Sequence, residues 1–355
     1  MFLAFKELGY SKLRYALISF IIAAILFLVF FITGLANGLA FGDSSSIRNL
    51  EADYIILNEE ADGAIAKSEL TLDQINTLND QLGRQSSPLS MTNSAIVKEN
   101  EKDIDVVYFS IDSSAYPDVD LIEGKNISGL TADEIIADET IKLYGDYKLN
   151  DKIVDKMTGK EMTIVGFMKD HTYSNMPAFY ADFSSGLNTY YGNKQFYNAV
   201  VYSGSKTSIN DFDTLTKEEA VKAIPGYKET QGSLNMIVVF LFIISAFVST
   251  VFFYVITIQK LNQFGILKAI GATTSYIAKS LVIQVILLTI IGLLFSGLLI
   301  LGISQVIPDG MPFRLSPMLL VGTAILFIVV NLLGALLSIF KVAKVDALEA
   351  IGRFE

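Results

Sequence analysis

The 355-residue sequence contains no cysteine and one histidine, His171. Without cysteine no disulfide staples the chain, and any iron bound to it must find another ligand type. With one histidine no HExxH zinc site exists, and a hydrolytic triad has a single base to draw on, with no GxSxG elbow to present a serine. A GxxxxGK[ST] phosphate loop is missing too, so this chain holds no nucleotide-hydrolysing site of that kind. These absences argue against an enzyme.

Charge is absent from four long stretches. Residues 16–41, 234–259, 280–308 and 315–340 are uncharged and largely apolar, in a chain that is 52% hydrophobic with mean hydropathy +0.46. A bilayer core of about 30 Å takes roughly 20 apolar residues in helix, so each run is long enough to span it. The first run exceeds the apolar core of a signal peptide and lacks a small-residue cleavage site, so it is expected to stay as an anchor.

The remaining charges orient these spans. Residues 1–15, a juxtamembrane amphipathic helix, hold Lys6, Lys12 and Arg14 against Glu7, and residues 260–279 hold Lys260, Lys268 and Lys279 with no acid. The positive-inside rule puts both in the cytoplasm of a plasma-membrane protein, and the tail 341–355 with them. The insert 42–233, with 32 acids and 17 bases, is then outside, as is the short loop 309–314. That acidity fits a solvated exterior surface or attraction of a cationic ligand.

Within the insert, strand-like runs at 52–57, 104–111, 161–168 and 196–203 alternate with helix signals. Capping-box pairs Thr71/Gln74, Thr131/Glu134 and Thr216/Glu219 are expected to open helices. The expected fold is four transmembrane helices with a large extracytoplasmic α+β domain between the first and second.

The segment QKLNQFGILKAIGATTSY, residues 259–276, lies between two spans. Phe264, Leu267 and Ile270 recur at three-residue steps, which predicts a short amphipathic helix along the inner membrane surface. Gly271 suits its end, and Thr273 and Thr274 suit the cap of the next helix. A short helix joined to two spans is a lever for a partner pushing from inside.

This segment resembles the cytoplasmic signature G-x-L-K-A-x-G-A of type VII ABC transporter permeases, the FtsX and MacB superfamily, here with Asn262 and Gln263 where many relatives carry an acid. The opening is similar to the DevC and HrtB branch of haem-efflux permeases: Lys6, Glu7, Lys12, Arg14 and Tyr15 precede a span ending Thr33-Gly34-Leu35-Ala36, with Gly38, Leu39 and Ala40 following. Further likeness lies at IIADET (135–140) and TIVGFMKDHTYSNMPAFY (163–180). The resemblance implies a permease without its own ATPase site that works with two copies of an ATP-binding subunit, itself probable only as a homodimer in membrane lipid, with no nucleic-acid partner. It implies that Lys260, Phe264, Gly265, Leu267, Lys268, Ile270 and Gly271 couple to that ATPase.

Haem is the cargo implied, with no permanently bound cofactor, no metal of the protein's own, and ATP supplied through the partner. Haem iron accepts Tyr, His or Met and its macrocycle needs an apolar slot. The expected ligands are Tyr173, Tyr227, His171, Met176 and Met236, with His171 in an exposed outer loop. Phe27, Phe30, Phe31, Phe240, Phe247, Phe252 and Phe253 are candidates for the walls of the slot. The aromatic stretch from Phe179 to Tyr202, including Tyr190 and Tyr191, fills a core or forms a lip for apolar cargo. Small residues Ala24, Gly34, Gly38, Ser245 and Ser249 permit close helix approach between two copies. Three other readings stay open: an FtsX-like force transmitter that activates a cell-wall hydrolase, an exporter of lipid or peptide, and a membrane-bound sensor.

Overall fold

The computed structural model describes residues 12–83, 86–98, 102–190, 194–308 and 310–343. The juxtamembrane Lys6 and Glu7, Tyr191, and the tail from Lys344 onward lie outside the described residues.

The chain opens with helix α1 (Lys12–Arg48), then strand β1 (Tyr54–Asn58) and helix α2 (Leu72–Leu82). Strands β2 (Ser86–Val97), β3 (Ile104–Ile111), β4 (Leu121–Gly124), β5 (Glu134–Asp138), β6 (Lys152–Asp155) and β7 (Glu161–Met168) follow. Next come β8 (Thr172–Tyr173), β9 (Met176–Asp182), β10 (Thr189–Tyr190), β11 (Lys194–Gln195), β12 (Ala199–Tyr202) and β13 (Phe212–Thr216). The chain continues through helices α3 (Lys217–Lys222), α4 (Tyr227–Gln259), α5 (Leu261–Ala269), α6 (Thr274–Ser304) and α7 (Pro317–Ala343). It divides into two compact units, Leu39–Gln231 and Met1–Gly38 with Gly232–Glu355.

The Leu39–Gln231 unit is α+β. Its eleven-stranded sheet runs β13-β1-β12-β2-β3-β9-β5-β7-β4, and β6 pairs with both β2 and β7. That bridging closes β2, β3, β9, β5, β7 and β6 into a ring in which β3–β9 and β5–β7 are parallel. Side-chain alternation along the strands then makes two cores. Ile104, Val106 and Tyr108 face one, with Ile135, Ile153, Ile164 and Phe179. Val107, Phe109 and Ile111 face the other, which holds Tyr180, Leu57, Val201 and the Ile47 end of α1. The aromatic stretch fills cores: Phe179 and Tyr180 are fully buried, and Phe196, Tyr197 and Tyr202 nearly so.

Two of the three expected capping boxes are formed. Thr71 accepts from the Gln74 amide and Thr216 from the Glu219 amide, with both reciprocal bonds present, at the starts of α2 and α3. The third opens no helix. The Glu134 carboxylate accepts from the Thr131 amide at 2.9 Å, but also holds Lys125 at 2.5 Å, and the chain enters β5 because Ile135, Ile136 and Ala137 are buried between β7 and β9. Tertiary burial overrides the local signal there.

In the other unit, four apolar helices are long enough to cross a membrane: α1, α4, α6 and α7. None has a proline in its interior; Pro308 and Pro312 fall between α6 and α7, and Pro317 takes the first helical position of α7, where its missing N–H costs nothing. Their common core gathers Ile18, Ile22, Leu26 and Phe30 of α1 with Phe253, Val285, Leu288 and Phe327.

Small residues set the spacing inside this one chain. A Cβ on Gly292 would meet the Ile22 side chain at 2.8 Å, one on Gly34 would meet the Phe313 ring at 2.6 Å, and one on Gly38 would run into the Pro312 carbonyl. Ser245 and Ser249 both donate to the buried Asn331 side-chain oxygen. The expectation that these four residues, Gly34, Gly38, Ser245 and Ser249, serve contact between copies is therefore corrected: each is already used within the chain. Ala24 is exposed.

Candidate functional site

Two groups of expected site residues fall in different units. The first is the segment expected from sequence to act as a lever. Helix α5 runs Leu261–Ala269, ends at Gly271 with φ +100°, and is followed by Thr273, whose hydroxyl accepts from the Tyr276 amide to cap α6. Only glycine adopts that φ without strain, so Gly271 fixes where the lever stops. Phe264 is 2% exposed and packs with Leu267 on Ile277 and Leu281 of α6. Gly265 is buried as well, whereas Ile266 is 50% and Ile270 77% exposed.

Phe264 and Gly265 are thus turned inward, within the helical unit. The exposed face consists of Asn262, Gln263, Ile266 and Ile270, with Lys268 half-buried beside it. Spacing alone grouped Phe264 with Ile270, because a three-residue step over a nine-residue helix drifts around its axis.

A polar junction binds the lever's start to two spans. Lys260 donates to the Tyr15 hydroxyl at 2.9 Å, with its ammonium 5.5 Å from the ring centre. Tyr15 in turn donates to the Gln284 side-chain oxygen at 3.0 Å, and Arg14 donates to Gln259 at 2.6 Å. Tyr15 and Gln284 are 4% and 1% exposed, so the bond between them is shielded and costly to break. Gln284 was not singled out from sequence; a lone amide in an apolar run is the signal that could have found it.

The second group sits on the β8–β9 hairpin of the α+β unit. Ser174 and Asn175 form its turn with φ of +50° and +61°. The turn docks on the end of α1: the amides of Ser174 and Asn175 donate to the carbonyls of Asp43 and Gly42, and the Asn175 side chain donates to the Asp43 carboxylate at 2.5 Å. The Thr172 amide donates to Ser45 Oγ at 2.8 Å.

This docking buries His171 and Tyr173. His171 is 3% exposed rather than on an open loop: its Nδ1 bonds the Lys169 carbonyl at 2.7 Å, its ring meets Tyr180 edge-on, and desolvation pulls its pKa below 6.5. The His171 amide donates to Asp138 at 2.6 Å, and Asp138, fully buried and also bonded to Thr140, is pushed up to about 6 by desolvation. Tyr173 lies in the core against Phe109, and burial raises its phenol to about 12. Met176 is half-buried.

Tyr227, in the same unit, differs. It is half-buried and its hydroxyl accepts from the Arg48 guanidinium at 3.1 Å, while Arg48 Nε donates to Ser44 at 2.8 Å. Arg48 went unremarked in the sequence, although it is the first cation after the first apolar run. Met236 belongs to the helical unit and is 57% exposed. Of the phenylalanines proposed as a wall, Phe240 and Phe247 are exposed, Phe30 and Phe253 are buried, and Phe27, Phe31 and Phe252 pack at the edge of the helical core. No group of three or more His, Asp or Glu able to hold a metal exists among the described residues.

Residues 235–347, which include α5 to α7 and most of α4, match the family model described as FtsX-like permease C-terminal. Along its whole length the chain is 32% identical to a protein of Staphylococcus haemolyticus described as a hemin transport system permease protein, HrtB, covering 100% of each. It is 31% identical to the corresponding HrtB protein of Staphylococcus epidermidis, with 99% of each covered. An uncharacterized ABC transporter permease of Mycobacterium tuberculosis is 20% identical over 99% of each chain. Among solved structures, the periplasmic region of MacB from Actinobacillus actinomycetemcomitans aligns with TM-score 0.37 and 16% identity, covering 50% of this chain and 95% of that one. The extracellular domain of the transporter YknZ aligns with TM-score 0.31 and 17% identity, covering 51% and 94%. The chain belongs to the FtsX-like permeases of ABC transporters, in the family of the HrtB proteins. As such a permease it works with an ATP-binding partner.

Proposed function

We propose that this chain is the permease of an ABC exporter that expels haem from the membrane to the exterior, acting as a homodimer with two ATPase subunits. The observation that carries this reading is the full-length likeness to proteins described as hemin transport permeases. Both termini and α5 face the cytoplasm, and the α+β unit faces outward.

In this reading Tyr227 is the iron ligand. The residue is half-buried and Arg48 donates to its phenol oxygen, so a fixed positive charge compensates the negative charge left on oxygen when ferric iron replaces the proton. Arg48 also suits a haem propionate. Tyr173 and His171 serve by holding the β8–β9 turn against α1, and Met176, half-buried in the same unit, is a supplementary soft donor. Closure of the ATPase subunits pushes the Ile266–Ile270 face. Phe264 passes the motion to α6 through Ile277 and Leu281, while Lys260 passes it to α1 through Tyr15.

A haemin titration of the full-length chain in detergent tests the assignment. Wild type is expected to give a saturable Soret shift, weakened strongly in Tyr227→Phe and moderately in Arg48→Ala, with Tyr173→Phe close to wild type. A non-saturable response in wild type overturns the haem reading and returns the lipid, peptide and force-transmission readings.

A further inference from the structure

A groove of 440 Å³ runs between α1 and α6 and plays no part in the reading above. Its walls are Ala16, Phe20 and Ala23 of α1 with Leu288, Ile291 and Phe295 of α6. Phe20, Ile291 and Phe295 are 65%, 49% and 51% exposed, so the groove opens outward from the helical unit instead of into its core. At one end stand Lys12, exposed, and Tyr15, whose hydroxyl is bonded to Lys260. The remainder has only the Ser19 hydroxyl to offer a polar ligand.

Two dimensions of this groove identify its occupant. From Lys12 to Ala23 the helix rises about 16 Å at 1.5 Å per residue. That is close to half of a bilayer core of about 30 Å, the depth of one leaflet. The volume lies in the ~300–1,000 Å³ range of small-molecule sites. The charge is confined to the end where a headgroup would sit: a cation at residue 12, backed by the Lys260–Tyr15 pair, followed by purely hydrocarbon walls.

We propose that this groove is a binding site for one anionic phospholipid, with a single acyl chain along Ala16, Phe20 and Phe295 and the phosphate at Lys12. The site does not depend on haem being the cargo. Because Tyr15 is shared between the groove and the Lys260 junction, an occupied groove braces α1 where the lever begins, and the lipid acts as a positive effector of coupling.

The test uses the full-length chain in phosphatidylcholine nanodiscs carrying trace spin-labelled phosphatidylglycerol or spin-labelled phosphatidylcholine, read by electron paramagnetic resonance as a motionally restricted fraction. The phosphatidylglycerol probe is expected to be preferred about fivefold, the effect of roughly one lysine at an anionic headgroup. Lys12→Gln is expected to abolish the preference, and Ala16→Trp, which fills the groove, to remove one restricted lipid per chain. Phe247→Trp, on an exposed face of α4, is the control and leaves both unchanged. Equal affinity of the two probes in wild type overturns the proposal, as does indifference to both Lys12→Gln and Ala16→Trp. Two further outcomes also overturn it: spin labels at Phe20→Cys showing a second copy seated in the groove, and haemin displacing the restricted lipid one for one.

Discussion

The Tyr15 phenol accepts from the Lys260 ammonium at 2.9 Å and donates to the Gln284 amide at 3.0 Å, so one side chain of α1 is bonded to the start of the lever and to the interior of α6. A phenol does both because its oxygen accepts while its proton is given away. Tyr15→Phe preserves the ring and removes both bonds, leaving Gln284 buried without this partner at a cost of roughly 1–3 kcal/mol. The expected result is a folded protein with a lower melting temperature and at least a several-fold loss of partner-stimulated ATP hydrolysis. Hydrolysis at the wild-type rate would show that the junction carries no coupling.

Phe264 and Gly265 are buried whereas Ile266 and Ile270 are exposed, so the proposed docking role falls on the latter pair. Ile266→Asp and Ile270→Asp are expected to abolish ATPase stimulation with the melting temperature nearly unchanged, since both side chains already meet solvent or a partner. Gly265→Asp is expected to destabilise the helical unit, because it places a carboxylate at a buried position. Paired thermal-unfolding and ATPase measurements distinguish the two behaviours, and equal loss of stability in all three variants contradicts the assignment of faces.

Gly38 lies where a Cβ would strike the Pro312 carbonyl, a backbone atom that yields little. Gly38→Ala is expected to cost about 1–3 kcal/mol through overpacking. In Gly297→Ala a Cβ meets nothing within 4 Å, and the same change there should be neutral or gain roughly 0.5–1 kcal/mol from helix propensity. Thermal unfolding of the two variants side by side gives the answer by sign.

Asp138 links stability to pH. Burial raises its pKa from 3.8 to about 6, so the folded chain binds a proton that the unfolded chain has released between those values. Stability from this group is therefore greatest below about pH 4 and falls as pH rises to 6, by up to ~3 kcal/mol at 1.36 kcal/mol per unit. His171 acts in the opposite sense, its lowered pKa withdrawing stability as pH falls below 6.5. Comparison with Asp138→Asn isolates the first effect: the melting temperature of wild type minus that of the variant is expected to be larger at pH 4.5 than at pH 7.5. A difference independent of pH would place the Asp138 pKa near its ordinary value.

Much of the frame is legible in the residues themselves. The four apolar runs become helices because length without charge or an interior proline leaves few other structures, and the Thr71 and Thr216 boxes form because their bonds close within three residues. The Thr131 box fails because the same carboxylate is drawn to Lys125 and the following residues to neighbouring strands. His171 reads as a loop residue because its burial depends on packing against Tyr180 and on its amide's bond to Asp138, which no local pattern shows.

Composition and periodicity by themselves determined that this is a four-span membrane protein with a large α+β insert, no disulfides and a short glycine-terminated helix between its second and third spans. Those properties follow from local hydrophobicity and backbone preference, which act within a few turns of chain. Tertiary structure decided which face of α5 is exposed, that Tyr173 is buried whereas Tyr227 is half-buried and bonded to Arg48, and that Gly34, Gly38, Ser245 and Ser249 are packed or bonded within one chain. Each of these depends on which distant side chain arrives to bury a group or bond to it, and that is settled only when the chain has packed.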